Sequence, residues 1–237
     1  MSDAVGDRLA RVRERMTAAA TKGGRSPEGL TLVAVSKRKP LSAIVEAYEA
    51  GQRDFGENYG QELLSKAEQL ADRDDIRWHY IGHLQTNKVK QLVGPVAAPR
   101  TGAVVALLHG VDRAKLIGAI DKRAAAADTT VDLLVQVNIS GEDTKSGCHP
   151  DQLGELLSAV DGADHLRLRG LMTMPPPVAD PEAARGWFQQ LRELRDRHGG
   201  TERLPELSMG MSQDFEVAIE EGATIVRVGT AIFGARE

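Results

Sequence analysis

Short apolar runs alternate with longer amphipathic stretches along most of the chain. Each run has the length of a buried strand, and the runs cover residues 30–36, 53–56, 78–82, 104–108, 131–139, 166–172, 204–209 and 224–228. The stretches between them predict helices at residues 41–50, 59–71, 86–93, 113–126, 150–160, 181–198 and 212–221. Strands that alternate with helices in this way indicate a parallel sheet with helices packed outside it.

A further helix is predicted before the first strand. Val5, Leu9, Val12 and Met16 recur at intervals of four, three and four residues. This spacing places one apolar stripe along a helix. We therefore expect an N-terminal helix that packs against the rest of the fold.

The number of strand–helix units favours a closed barrel. Eight units in 237 residues match the size of a (β/α)8 barrel. The alternative, an open doubly wound sheet, usually carries a glycine-rich phosphate loop after its first strand. Here the first strand is followed by Lys37-Arg38-Lys39-Pro40, without glycine. We expect an α/β fold, namely one TIM barrel with an extra N-terminal helix, that forms a single domain over residues 1–237.

Composition and charge exclude several classes of protein. The chain is 41% hydrophobic and 27% charged, and its net charge of -4 gives no reason to expect nucleic-acid binding. No apolar stretch reaches the ~18 residues that span a bilayer, and the first residues lack a signal-peptide pattern. Cys148, as a lone cysteine, cannot form an internal disulfide, which fits a reducing cytoplasm. We expect a cytoplasmic protein without membrane contact, and a monomer, because no long exposed apolar segment requires a partner.

Lys37 is the most informative single residue. It follows the first apolar run directly, where a charged amine is costly unless it is used. A lysine there can pair with an anion, or it can form a Schiff base with an aldehyde cofactor or carbonyl substrate. A solvated lysine at a strand end is the alternative.

The ends of the last two predicted strands carry small and hydroxyl residues. Gly210 and Ser212 follow strand 7, and Gly229 and Thr230 follow strand 8. Glycines let backbone amides approach an anion, hydroxyls add donors, and barrels often bind phosphate between these two loops. The alternative is a tight turn in which Ser212 caps the following helix.

Arg227 lies inside the last apolar run, where a guanidinium needs a partner. It either faces outward and pairs with a carboxylate, or it donates to a ligand in the barrel mouth. Together with Lys37 and the phosphate-binding loops, it describes a site for pyridoxal phosphate (PLP). An arginine beside the pyridine nitrogen disfavours protonation of the ring, which weakens the ring as an electron sink.

At these residues the chain resembles the pyridoxal phosphate homeostasis protein family, which is similar to the barrel domain of alanine racemases. The resemblance extends over nearly the whole chain and rests on several ordered motifs, namely Ala34-Val35-Ser36-Lys37-Arg38-Lys39-Pro40, Phe55-Gly56-Glu57-Asn58-Tyr59, Trp78-His79-Tyr80-Ile81-Gly82-His83-Leu84-Gln85-Thr86-Asn87-Lys88, Arg169-Gly170-Leu171-Met172-Thr173-Met174, Leu207-Ser208-Met209-Gly210-Met211-Ser212-Gln213-Asp214 and Val226-Arg227-Val228-Gly229-Thr230-Ala231-Ile232-Phe233-Gly234.

The resemblance implies a role for each candidate residue. Lys37 would form the Schiff base, and Arg227 would lie near the pyridine nitrogen. The phosphate would be held by Ser212, Gly229 and Thr230, and the pocket would also be lined by Asn58, His83 and Met209.

The resemblance also implies a function without a reaction of its own. The family binds PLP and maintains vitamin B6 balance, and delivery of PLP to PLP-dependent apoenzymes is a further expectation. Alanine racemases have a second domain that supplies a catalytic tyrosine, and the chain has no room for it after Gly234, so we expect no catalytic residues. The alternatives are a small PLP-dependent racemase, a lysine Schiff-base aldolase, or an interaction protein with a vestigial pocket.

Three weaker signals favour structural roles. His79 and His83 have strand spacing, but further metal ligands are not evident, so packing or hydrogen bonding is expected and no metal site is predicted. Lys145 is a second candidate for a Schiff base, although Glu142 and Asp143 nearby favour a solvated loop lysine. Cys148 has no identifiable base beside it and is expected to be an ordinary thiol.

Overall fold

The computed structural model describes residues 4–94, 104–142 and 145–235. Eight parallel strands close into a barrel, and each strand pairs with its neighbours in chain order. The strands are β1 (Thr31–Val35), β2 (Asp54–Glu57), β3 (Arg77–Tyr80), β4 (Val105–Val111), β5 (Val131–Gln136), β6 (Leu166–Met172), β7 (Glu206–Ser208) and β8 (Ile225–Val228). The predicted (β/α)8 barrel is confirmed.

Helices follow the strands and cover the outside of the sheet. They are α1 (Val5–Lys22), α2 (Leu41–Glu49), α3 (Gly60–Gln69), α4 (Val89–Leu92), α5 (Ala114–Ala126), α6 (Leu153–Asp161), α7 (Arg185–Arg197), α8 (Gly200–Arg203), α9 (Phe215–Glu220) and α10 (Thr230–Phe233). Helix α1 is the predicted extra helix, and it packs against α2, α9 and α10. Its predicted apolar stripe is buried, as expected from the spacing.

Two apolar regions lie on opposite sides of the sheet. The larger region fills the space between strands and helices and contains the largest buried side chains, such as Trp78, Phe55, Phe188 and Phe215. A smaller cluster lies inside the barrel and consists of Val33, Leu107, Leu134, Met172 and Ile225. Because successive side chains of a strand point to opposite sides of the sheet, each residue of the inner cluster is adjacent in sequence to a residue of the outer region.

A bulge in β6 sets the geometry of one side of the barrel. The register between β5 and β6 shifts so that Leu133 pairs with Leu168 while Leu134 pairs with Gly170. Gly170 has a φ of 150°, and a Cβ there would overlap the backbone oxygen of Glu206 in β7. Only glycine allows β6 and β7 to approach this closely.

Several element boundaries differ from the predicted ones. Strand β4 extends three residues past the predicted end, to Val111, and β5 ends at Gln136 rather than at residue 139. Helix α9 begins at Phe215 rather than at residue 212, because the Asp214 side chain accepts a hydrogen bond from the Met211 amide, 2.7 Å away, and holds a turn before the helix. The short helices α8 and α10 were not predicted.

Helices that could span a bilayer are absent from the described residues. None of the helices combines the length and the hydropathy that a membrane crossing requires.

Candidate functional site

A cavity of about 240 Å³ opens at the carboxyl ends of the strands, next to β1 and β8. This is the face on which barrel sites form. Its polar lining residues are Lys37, Asn58, Ser212, Gln213, Asp214, Arg227, Gly229 and Thr230, and its apolar ones are Val35, Ile81, Met174, Pro177 and Met211. Apolar walls with a few convergent polar groups are typical of a small-molecule site.

Six of the eight residues predicted for the site line this cavity together, and two do not. His83 lies in a neighbouring cleft, of which Asn58 forms part of the wall, and its side chain is about half exposed. Met209 is fully buried in the apolar region outside the sheet. The structure therefore separates these two residues from the group around Lys37.

A buried polar cluster fixes the backbone on both sides of Lys37. Before it, Ser36 donates from its hydroxyl to Glu57 at 2.6 Å, and the Lys66 amine donates to the Ser36 carbonyl oxygen at 2.8 Å. After it, the Arg38 amide donates to Glu62 at 2.6 Å. We name Ser36, Glu57, Glu62 and Lys66 the clamp.

The clamp centres on the Lys66 amine. This amine lies 2.7 Å from Glu57 and 2.7 Å from Glu62, and both Lys66 and Glu57 are buried. Burial raises the pKa of Glu57, and the hydrogen bonds from Lys66 and Ser36 offset only part of that effect. The loop that carries Lys37 is thus anchored by charges held away from water.

The loops after β7 and β8 meet at the hydroxyl of Ser212. Its oxygen accepts hydrogen bonds from the amides of Gly229 and Ala231, at 3.2 and 3.3 Å. A hydroxyl that accepts two bonds still has its own hydrogen to donate. A Cβ at position 229 would lie only 3.3 Å from the Val35 carbonyl oxygen, so glycine keeps the gap between β8 and β1 open.

Arg227 reaches the cavity from inside the barrel. Only 3% of its surface is exposed, and it donates to the Ser208 hydroxyl at 2.5 Å and to the Thr173 carbonyl oxygen at 2.8 Å. Burial lowers the pKa of Arg227 to about 10, although the nearby Asp214 carboxylate opposes this effect. A group with this pKa remains charged at neutral pH.

Asn58 presents a polar atom that the described part of the chain does not satisfy. Its amide oxygen is buried without a hydrogen-bond partner, although the residue lines the cavity. A buried acceptor in this state costs about 1–3 kcal/mol. A ligand with a donor at this position would recover that free energy.

Sequence reasoning missed the residues that support the site. Lys66 lies between the buried residues Leu63 and Ala67 on the apolar face of α3, and a lysine on such a face is the signal that could have found it. Ser208 lies within the predicted seventh strand, where its sequence context does not indicate a partner. Its contact with Arg227 joins two residues that are 19 positions apart.

Comparisons with known proteins agree over nearly the whole chain. The family model described as "Alanine racemase, N-terminal domain" matches residues 8–237. The pyridoxal phosphate homeostasis protein of Aquifex aeolicus is 46% identical over 233 residues, which cover 98% of each chain.

Solved structures show the same fold. An unknown protein from Bifidobacterium adolescentis matches with a TM-score of 0.87 and 38% identity, over 98% of this chain and 97% of the other. PipY of Synechococcus elongatus, solved with PLP bound, matches with a TM-score of 0.80 and 35% identity, over 97% of this chain and 100% of the other.

Proposed function

The chain belongs to the pyridoxal phosphate homeostasis proteins, which share the alanine racemase N-terminal domain, and we propose that it binds PLP as a Schiff base on Lys37. The observation that carries this proposal is the single cavity that joins Lys37, Ser212, Gly229 and Arg227. The chain is similar to PipY along its whole length, and PipY has been solved with PLP bound.

The residues of the cavity fit the chemical groups of PLP. PLP supplies an aldehyde, which condenses with an amine and releases water, and an electron-withdrawing ring. Lys37 provides the amine. The Ser212 and Thr230 hydroxyls would provide donors for the phosphate, and Gly229, which has no side chain, would leave room for it beside them.

Arg227 and Asn58 would contact the ring of the cofactor. Arg227 carries a charge that persists at neutral pH, so a ring nitrogen beside it stays unprotonated. The unsatisfied amide oxygen of Asn58 would accept a hydrogen bond from a ring substituent that carries a donor. The apolar residues Val35, Ile81 and Met174 would cover the ring faces.

The biological role that we propose is storage and control of PLP, together with its transfer to PLP-dependent apoenzymes. We assign no catalytic residues, because an unprotonated ring supports carbanion chemistry weakly. We further expect a cytoplasmic monomer, consistent with the sequence. A racemase or an aldolase would instead show turnover well above the rate of free PLP.

Absorbance spectroscopy tests the proposal. The purified protein, mixed with PLP, should develop the visible band of a lysine-bound cofactor, and Lys37→Ala should abolish it. Two matched variants serve as controls. Lys39→Ala removes a nearby amine that donates to the carbonyl oxygen of Ala235. Lys145→Ala removes the second lysine that the sequence offers for a Schiff base.

The outcomes separate the hypotheses. The two control variants should retain the band. A wild-type protein that shows no such band after incubation with PLP and removal of the free cofactor would refute PLP binding. A band that survives Lys37→Ala and disappears in Lys145→Ala would show that the wrong lysine has been assigned.

A further inference from the structure

The interior of the barrel holds a row of polar side chains, of which only Arg227 lines the proposed PLP site. Asp54, His79, His109, Ser208 and Arg227 are all buried. Their neighbours in sequence, such as Phe55, Trp78, Leu108, Leu207 and Val226, lie in the apolar region outside the sheet. By strand alternation, the five polar residues therefore face the barrel interior.

These five residues form one continuous hydrogen-bonded chain, which we name the interior chain. Arg227 contacts Ser208 at 2.5 Å, Ser208 contacts Nδ1 of His109 at 2.9 Å, and Nε2 of His109 contacts Nδ1 of His79 at 2.9 Å. Nε2 of His79 then contacts Asp54 at 3.0 Å. The chain starts at the cavity and ends at the amino end of β2, where Asp54 begins the strand.

The two ends of the interior chain are chemically fixed. Arg227 can only donate, because a guanidinium has no acceptor. Asp54 can only accept while it is ionised. Burial alone would raise the pKa of Asp54, but hydrogen bonds from His79 and Arg77 outweigh burial and lower it.

The fixed ends determine the tautomers in between. His79 must carry its proton on Nε2 to donate to Asp54, so its Nδ1 accepts from Nε2–H of His109. Nδ1 of His109 then accepts from the Ser208 hydroxyl, and the Ser208 oxygen accepts from Arg227. Every bond thus points in the same direction, from the cation to the carboxylate.

The reverse direction is unfavourable when both histidines are neutral. A proton on Nδ1 of His79 would leave a bare Nε2 facing the Asp54 carboxylate, so two acceptors would lie 3.0 Å apart. The reversal avoids this contact only if His79 gains a second proton. Burial, together with the neighbouring His79 and Arg227, lowers the pKa of His109 well below its ordinary value and keeps that ring neutral.

We infer that His79 and His109 are positioning residues for the cofactor, because the interior chain holds the Ser208 oxygen ready to accept from Arg227 and so fixes Arg227 against the PLP ring. This inference rests on the proposed PLP site. With its hydroxyl hydrogen committed to His109, Ser208 presents only lone pairs to Arg227. Cooperative polarisation along the chain strengthens each bond.

The first experiment uses the protein without cofactor. Two-bond ¹H–¹⁵N correlation spectra of the imidazole rings separate protonated from bare ring nitrogens. Both His79 and His109 should carry a proton on Nε2 and none on Nδ1. A proton on Nδ1 of either ring would overturn the direction of the interior chain.

The second experiment uses the protein loaded with PLP and changes a residue that touches neither Ser208 nor Arg227. His79→Leu removes both hydrogen bonds of the imidazole ring, to His109 and to Asp54, whereas His79→Gln keeps one donor and one acceptor. His79→Leu should still bind PLP. The pH at which its visible band is half-changed, which we call the midpoint, should shift by about one unit, because one unit corresponds to about the free energy of one hydrogen bond. His79→Gln should restore most of the wild-type midpoint.

Controls and a milder variant complete the test. His149→Gln changes an exposed loop histidine and should leave the midpoint unchanged. Ser208→Ala, which removes a single oxygen, should shift the midpoint in the same direction as His79→Leu, and it serves where His79→Leu does not fold.

Failure of this inference is distinguishable from failure of the proposed function. If the wild type binds PLP and both His79→Leu and Ser208→Ala keep its midpoint, the positioning role is refuted alone. If the wild type does not bind PLP, the proposed function and the positioning role are refuted together, whatever the tautomers.

Discussion

Replacement of Lys66 by methionine tests whether the clamp stabilises the fold and the site. Lys66→Met keeps the length and the apolar part of the side chain but removes the amine. The amine donates to Glu57, Glu62 and the Ser36 carbonyl oxygen, all within 2.8 Å. Its loss leaves the fully buried Glu57 carboxylate without its cation.

The expected cost follows from this burial. Removal of one partner from a buried ion pair typically costs about 3–5 kcal/mol. With a urea dependence of about 2–3 kcal/mol per molar, the midpoint of unfolding should fall by roughly 1–2.5 M. The matched control is Lys22→Met, which removes an exposed cation that pairs with Glu220. Because Glu220 keeps Arg185 as a second partner, this change should cost less than about 1 kcal/mol.

The loss should also depend on pH. The pKa of Glu57 is raised in the folded protein, with burial as the main cause, so the folded state holds a proton that the unfolded state has released. Stability therefore falls as pH rises from the ordinary glutamate pKa to the folded one. Lys66→Met raises the folded pKa further, which extends this window and makes the loss greater at pH 8 than at pH 5.

Urea unfolding, followed by tryptophan fluorescence at both pH values, measures these quantities, and titration with PLP measures the effect on the site. We expect weaker PLP binding in Lys66→Met, because the clamp holds the backbone on both sides of Lys37. A cost no larger than that of Lys22→Met, or a cost equal at the two pH values, would refute this account of the clamp.

Three further predictions follow from single contacts. Ser212→Ala should weaken PLP binding roughly 10- to 150-fold in a spectroscopic titration, because a hydrogen bond to a charged group contributes about 1.5–3 kcal/mol. Unchanged affinity would argue against a contact between Ser212 and the phosphate. Gly170→Ala should lower the thermal midpoint by several degrees, because its Cβ would overlap the Glu206 backbone, and an unchanged midpoint would contradict the tight β6–β7 approach. Burial, with a smaller effect from Asp112, raises the pKa of Cys148 to about 11, so only about 0.1% of the thiol is ionised at pH 8. A thiol reagent should therefore modify the urea-unfolded chain but not the folded one. Fast labelling of the folded chain would contradict this prediction.

The fold was accessible from the sequence because its signal is periodic. Alternation of apolar runs with amphipathic stretches predicted all eight strands, and the stripe that begins at Val5 predicted helix α1. Boundaries were less accurate where polar residues interrupt a buried run. The predicted end of β4 falls just before His109, although the strand continues to Val111, because His109 is satisfied inside the barrel rather than by solvent.

Residues of the site could be predicted where their position next to a strand end is visible in the sequence. Lys37, Ser212 and Gly229 follow strand ends, so the barrel brings them together. Met209 illustrates a limit, since alternation places it opposite Ser208, which faces the barrel interior. Its predicted place in the pocket came from the resemblance, and strand geometry directs its side chain to the outer apolar region.

Contacts between residues that are far apart in the sequence could not be predicted from it. His109 and Ser208 are 99 positions apart, and Lys66 and Ser36 are 30 apart. Each of these residues looks like an isolated exception to an apolar pattern, and its partner is defined only once the barrel closes. A residue of this kind can be flagged from the sequence as costly, but its partner cannot be named.

The clamp and the interior chain point to one physical explanation for buried polar groups in this barrel. An apolar replacement for a buried ion pair is often neutral, or stabilising by about 1–4 kcal/mol, so stability alone does not explain the pair of Lys66 and Glu57. Both networks end at the cavity: the clamp holds the backbone beside Lys37, and the interior chain holds Arg227. Their cost in burial is offset if the site must hold its groups rigidly before a ligand arrives, because preorganised groups lose less entropy on binding. A protein that binds PLP gains affinity from such rigidity.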